Sequence, residues 1–195
     1  ITGDLIIPYT LEELGACSFA ACYSLNGILS IASSIKVIKS SCFDTCKNLK
    51  HIDLSNGIEV IEDSAFRRCE NLIGELVIPF NCKTIGRWSF DNCVGLSSLA
   101  LLDNLETIGS NAFYNCTGFK SALKIPDSVT TIADDAFALC TGFIGELVLS
   151  NSLVTIGNNA FQETTFTGSL VIPNSVKTLG RGAFLRCSHF NGILK

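Results

Sequence analysis

Phenylalanine falls at Phe19, Phe43, Phe66, Phe90, Phe113, Phe137, Phe161 and Phe184, a spacing of 23 or 24 residues held through eight positions. A period of this size leaves a chain little choice. Each unit is too short to enclose a core of its own and has to bury its apolar row against its neighbours, coil upon coil. Other positions keep the same register. Three residues after each phenylalanine stands Cys22, Cys46, Cys69, Cys93, Cys116, Cys140, Thr164 or Cys187. Five before it stands Leu14, Ile38, Ile61, Ile85, Ile108, Ile132, Ile156 or Leu179. Three before those come Leu11, Ile35, Ile58, Cys82, Leu105, Val129, Leu153 and Val176. All four prolines, Pro8, Pro79, Pro126 and Pro173, share one position of the unit. The pattern is L-x-I-P-x-S-V-x-x-I-G-x-x-A-F-x-x-C-x-x-(L/F)-x-G-x, eight times over.

Each stretch of the unit has a physical reading. The L-x-I pair, as in Leu123 and Ile125, alternates with period two and predicts a short strand with one face inward. Proline or a small residue ends that strand, and a turn such as Asp127-Ser128 follows. The V-x-x-I stretch from Val129 to Ile132 predicts a second short strand rich in β-branched residues. A-F-x-x-C predicts one helical turn that carries Ala, Phe and Cys inward. The glycine near the end of the unit lets the backbone swing into the next coil. Stacking puts leucine on leucine and phenylalanine on phenylalanine. Neighbouring strands are then parallel and about 4.7–4.9 Å apart, and the rod is on the order of 40 Å long. Parallel crossovers are overwhelmingly right-handed, so a right-handed coil is expected. The expected fold class is a right-handed solenoid of parallel short strands, two per coil, plus a short helical turn per coil.

The I-P-x-S-V-x-x-I-G-x-x-A-F-x-x-C run resembles the BspA-like leucine-rich repeats found in surface proteins of bacteria and protist parasites, and the resemblance covers the whole chain. It implies a leucine-rich-repeat solenoid and points to a surface or secreted adhesion protein. The expected organisation is a single array over residues 1–195, with repeats beginning near Leu5, Leu29, Ile52, Leu76, Leu99, Leu123, Leu147 and Leu170. The opening ITGDLIIP matches FTGSLVIP at 166–173, which makes residues 1–4 the tail of an earlier repeat. Leu194-Lys195 reads as the start of a ninth. Neither end has the polar repeat that caps a solenoid. Flanking repeats of the same chain at both ends are expected, or else a partner that seals them.

Composition removes some function classes. The formal net charge is −4, charged residues make up 16%, and no Lys/Arg run occurs, which argues against nucleic acid as a partner. Apolar stretches are too short to cross a bilayer, so no membrane insertion of this segment is expected. The chain has no Met and reads as a mature product or an excised piece.

Ten cysteines invite a disulfide framework or a metal site, yet seven of them are the ladder described above. Cys42 takes the Ala position and Cys82 the Val position, while Cys17 stands at a variable position expected to face solvent. The reading of the ladder is buried free thiols, small hydrophobes packed beside the rings. Two alternatives stand beside it. Successive ladder cysteines would have Cα atoms about 5 Å apart, within disulfide reach, although side chains in register point the same way. Cys42, Cys46 and His51 form a C-x3-C-x4-H cluster, one ligand short of a structural zinc site. No metal and no cofactor is expected.

Nor does the chain spell out a catalytic centre. His51 and His189 lie six coils apart and cannot share a site. The acidic pairs Glu12-Glu13 and Asp134-Asp135 occupy variable, solvated positions, and no Walker A, G-x-S-x-G or H-E-x-x-H motif occurs. No enzymatic function is expected.

Function should then reside in positions the core does not dictate. The middle residue of the first strand reads Ile6, Ser30, Asp53, Val77, Ala100, Lys124, Val148 and Val171. Five of these eight are apolar although they should face outward. Strand propensity explains this in one way, and a recognition face in another. Tyr9 and Phe80, in the following turn, would add aromatic anchors. The candidate binding residues are therefore Ile6, Tyr9, Val77, Phe80, Ala100, Val148 and Val171, and the partner expected is a protein or glycoprotein. The second strand carries Glu12, Lys36, Glu59, Lys83 and Glu106 in adjacent coils, an alternation that predicts a ladder of ion pairs keeping register. In repeat seven Thr164 replaces Cys and Phe166 comes one residue early, which predicts a local kink. Asn115 opens an N-C-T glycosylation sequon that suits a secreted chain. An intracellular scaffold in a cytoplasmic or cytoskeletal assembly is the alternative, because many unpaired thiols suit a reducing compartment.

Overall fold

In the computed structural model, which describes residues 2–195, the chain winds as stacked coils around the phenylalanine file. Ile1, the first residue of the expected upstream tail, lies outside the described residues. The first strands are β1 (Leu5–Ile7), β2 (Ile28–Ile31), β4 (His51–Leu54), β6 (Gly74–Val77), β8 (Leu96–Ala100), β10 (Leu123–Lys124) and β12 (Leu147–Val148). The second strands are β3 (Val37–Ile38), β5 (Val60–Ile61), β7 (Thr84–Ile85), β9 (Thr107–Ile108), β11 (Thr131–Ile132), β13 (Thr155–Ile156) and β14 (Thr178–Leu179). Every pairing is parallel and sets like on like, for example Leu5 on Leu29, Ile61 on Ile85 and Thr131 on Thr155.

The two strand lines differ in continuity. Second strands form one unbroken seven-stranded sheet from β3 to β14, and Leu14 extends it through a bridge to Ile38. First strands form separate groups, β1-β2-β4, β6-β8 and β10-β12, while Leu170 bridges only forward to Leu194. Each gap falls directly before a coil that carries a proline: Pro79 after β6, Pro126 after β10, and Pro173 after Leu170. Proline donates no N–H and restrains the residue before it, so it belongs at sheet edges.

The expected helical turn is not formed, and no helix occurs among the described residues. A one-turn helix would leave its first N–H groups without partners inside the core. The A-F-x-x-C segment instead makes a third ladder between coils. The N–H groups of Ser41, Phe43 and Thr45 donate to the carbonyls of Asp63, Ala65 and Arg67 in the next coil at 2.9, 2.9 and 2.6 Å. The intervening Cys42 and Asp44 N–H groups close local turns onto the Lys39 and Ser41 carbonyls, both at 3.1 Å. This alternation places the residues two before and two after each core phenylalanine in the left-handed region. Pairs such as Ser41/Thr45, Trp88/Asn92 and Asn159/Glu163 all have φ between 50° and 61°. A non-glycine residue there costs on the order of 1 kcal/mol, offset by the bonds the turn gains. The unit's last glycine behaves as expected, with φ of 86°, 82° and 80° at Gly74, Gly145 and Gly168.

The core is a column. Rings of Phe19, Phe43, Phe66, Phe90, Phe113, Phe137, Phe161 and Phe184 lie nearly parallel, with successive centroids 5.2–5.5 Å apart. In the later coils a second file joins it: Phe119 stacks on Phe143 at 5.0 Å and Phe143 on Phe166 at 4.5 Å. This second file meets the first edge-on, as at Phe113 and Phe119. The kink predicted at repeat seven does not interrupt either file. Phe166 stays in line, and the Thr165 hydroxyl donates to the Thr141 and Phe143 carbonyls at 3.0 and 2.6 Å, taking up the missing residue.

The residue before the core phenylalanine departs from alanine in three coils, as Ser18, Cys42 and Ser89. Ser89 stands where neighbouring coils have Ala65 and Ala112; it is fully buried, and its hydroxyl has no partner among the described residues. Such a group costs about 1–3 kcal/mol. Ser89→Ala is expected to stabilise the chain by about 1 kcal/mol, read as a higher urea midpoint; a lower midpoint would show that the hydroxyl is satisfied.

Candidate interaction surface

The middle residue of each first strand points away from the core. Register sets Ile6 beside Ser30, Ser30 beside Asp53, Val77 beside Ala100, and Lys124 beside Val148. Ile6 is 73% exposed, Val77 44%, Val148 45% and Val171 50%, whereas Ala100 is half-buried. Tyr9 and Phe80, just past Pro8 and Pro79, are 81% and 49% exposed. The seven predicted contact residues thus lie on one side of the rod, divided by the gaps in the first sheet. The last gap is a notch of about 280 Å³ in which Val148 and Val171 meet, flanked by Glu146, Asn151, Ser169 and Pro173.

Other exposed apolar side chains escaped the sequence reading. Ile73 and Ile144 stand just before the first strands of their coils, 47% and 57% exposed. Trp88 is 37% exposed at a left-handed position, with the Arg87 guanidinium 4.5 Å over its ring. Their signal was available in principle, since Ile73 and Ile144 stand where the other repeats carry polar residues and Trp88 where most of them do.

The opposite strand line is polar, but the predicted ion ladder is mostly open. Among the described residues only Lys36–Glu59 closes in that row, at 3.8 Å, and both partners are exposed. Long side chains in water gain little from meeting, a few tenths of a kcal/mol at typical exposed sites. Lys39 reaches Glu13 at 3.9 Å and Glu62 at 3.8 Å in an adjoining row. The tightest pair is Arg67 on Asp44, bidentate at 3.0 and 2.7 Å on the turn side. Asp134, of the acidic pair, accepts the Asn158 backbone N–H at 2.7 Å and so ties two coils. His51 and His189 are both exposed, on different coils.

Cysteine is more than filler. The thiols of Cys46, Cys69, Cys93, Cys116, Cys140 and Cys187 donate to the Phe carbonyl of the preceding coil at 2.9–3.3 Å. All ten cysteines are free; Cys17 is exposed, and Cys42 and Cys82 are fully buried as read from their positions. Burial pushes the Cys82 thiol up to about 11 and the Cys46 thiol up to about 12. The Cys69, Cys93, Cys116 and Cys140 thiols are pushed well up by the same cause. A nucleophilic or metal-ligating role needs the thiolate, which these sites disfavour. Asn115, the sequon residue, is half-buried and has φ 56°, and its Nδ2 donates to Asn92 Oδ1 at 2.7 Å.

The family model for the BspA type leucine rich repeat region matches in six copies, over residues 2–120 and 70–191. A leucine-rich repeat protein of T. pallidum superimposes with a TM-score of 0.71 at 28% identity, covering 82% of this chain and 75% of that one. One from Bacteroides ovatus gives a TM-score of 0.70 at 24% identity, covering 97% of this chain and 56% of that one. A leucine rich cell surface protein of Faecalibacterium prausnitzii gives 0.54 at 21% identity, covering 98% and 72%. The last two likenesses concern the fold alone. No curated protein matches the sequence significantly.

The buried thiols make stability depend on pH in a defined direction. In the unfolded chain a cysteine ionises near its ordinary value of 9.0, while in the folded chain Cys82 stays protonated to about 11. Its contribution is complete below pH 9 and is lost as pH rises toward 11. The urea midpoint should fall between pH 7 and pH 10. Cys82→Val, which restores the residue type of Val129 and Val176, should remove roughly 1 kcal/mol of that fall. An unchanged fall would show that the Cys82 thiol ionises alike in both states.

Proposed function

The chain belongs to the BspA-type leucine-rich repeat family, and from that premise we propose that it is a non-catalytic interaction module binding a protein or glycoprotein through its first-strand face. The observation that carries this reading is the set of exposed aliphatic side chains Ile6, Val77, Val148 and Val171 on a face whose outward residues the core does not dictate. Tyr9 and Phe80 add exposed aromatic rings at its margin. The mechanism is rigid display. Three ladders of inter-coil bonds hold the outward residues in place, so little ordering entropy is lost on contact. No cofactor enters this reading. A surface or secreted location is proposed with it, in keeping with the cell surface description of the F. prausnitzii neighbour. Glycosylation at Asn115 would require its amide to leave Asn92.

A second reading, an intracellular scaffold, is favoured by one observation: all ten cysteines are free thiols, eight of them engaged in or shielded by the core. Ten reactive thiols in denatured native-source material would support it, and an occupied glycan at Asn115 would oppose it. Protein and glycan arrays probed with the intact chain test the principal reading. At least one partner is expected whose binding falls tenfold or more when Val77, Val148 and Val171 are replaced by serine. A full set of captured partners indifferent to these substitutions would contradict it.

A further inference from the structure

We infer that the strand face carries two copies of one acidic–aliphatic contact site, three coils apart, and that its partner presents a basic segment engaging both at once. This rests on the strand-face reading above and adds the partner's charge and valency to it. The pentapeptide Ile-Gly-Glu-Leu-Val occurs at 73–77 and again at 144–148. Two of its residues are dictated by the fold: Gly74 and Gly145 adopt φ of 86° and 82°, and Leu76 and Leu147 are buried. The other three face solvent in both copies, as Ile73, Glu75 and Val77, and as Ile144, Glu146 and Val148. The corresponding positions of other coils show that the fold does not require them. One coil places Lys120, Ala122 and Lys124 there, and another Thr167, Ser169 and Val171.

Divergence around the pentapeptide sharpens the point. The next six residues read IPFNCK in one coil and LSNSLV in the other, so identity is confined to the first-strand segment and does not extend to the exposed residues of the following turn, such as Phe80 and Asn151. A third version, Thr2-Gly3-Asp4-Leu5-Ile6, lies three coils upstream, with Gly3 at φ 84°. There the carboxylate is already used, since Asp4 accepts the Ile28 N–H at 2.9 Å. Glu75 and Glu146 have no cation within 4.0 Å among the described residues, whereas Asp44, Glu59 and Glu62 elsewhere on the rod are paired. An unneutralised carboxylate between two exposed aliphatic side chains suits a lysine or arginine flanked by apolar residues.

Spacing sets the valency. Three coils at about 4.7–4.9 Å each put the two sites roughly 14 Å apart, the span of four or five extended residues. Two coils lie between the sites. Lys124 projects from the one next to the second site, beside Val148, and repels a cation placed over that coil, so the partner's charges belong over the two carboxylates.

The probes are two synthetic peptides, one holding a single Val-Lys-Val segment and one holding two such segments joined by Gly-Ser, each titrated into the full 195-residue chain by calorimetry. The two-segment peptide is expected to bind at least about tenfold tighter than the single one. Glu75→Gln or Glu146→Gln alone should remove that gain, returning affinity to the single-segment level with the melting temperature unchanged. A two-segment peptide that binds no tighter, that fails to bind, or that keeps its gain in both Gln variants overturns the inference. Array partners lost on Val77→Ser and Val148→Ser but retained on both Gln substitutions would leave the strand-face reading standing and this inference refuted.

Discussion

The structure depends on contact between identical residues of successive coils. Each phenylalanine ring lies 5.2–5.5 Å from the next in the file, nearly parallel to it, and the inward aliphatic residues of both strand lines meet in the same way. Such a core has no centre. Every coil is buried by its two neighbours, and stability is a sum of short-range terms along the rod. Uniform contact explains why one side-chain type persists at each inward position. A smaller residue would open a void against both neighbours, and a larger one would press on both.

Polar groups inside the column are handled by the same repetition. The turn that carries Phe sends alternate N–H groups to the next coil and accepts left-handed residues as the consequence. The cysteine thiol then reaches the Phe carbonyl of the coil before it. Thr164 shows the rule through its exception, since its hydroxyl turns instead to the Phe161 carbonyl of its own coil at 2.9 Å. Cysteine fits the ladder because it is small and apolar yet still a weak donor.

Much of this was readable from the repeat. Spacing alone located both strand lines, the parallel register, the inward residues, the exposed thiol of Cys17 and the outward faces of Val77, Val148 and Val171. The helical turn was misread because A-F-x-x-C has helical spacing, while the competing demand, satisfaction of N–H groups across coils, leaves no trace in residue type. The gaps in the first sheet were not foreseen, although the prolines that mark them were plain. Their effect falls on the preceding coil, beyond the reach of a reading within one unit. The ion ladder failed for a different reason: adjacency in register does not oblige long solvated side chains to meet. On the surface, the identical exposed residues of two distant coils became meaningful only once Gly74, Leu76 and their counterparts could be set aside as structural.

Nearest-neighbour packing is tested most directly by two double-mutant cycles measured from urea unfolding. Phe90 and Phe113 stack at 5.5 Å in adjacent coils, while Phe43 and Phe137 stand four coils apart in the same file. Leucine substitutions at Phe90 and Phe113 are expected to couple by about 0.5–1.5 kcal/mol. The same substitutions at Phe43 and Phe137 should add within about 0.5 kcal/mol. Equal coupling in both cycles, or none in the first, would contradict a core assembled rung by rung.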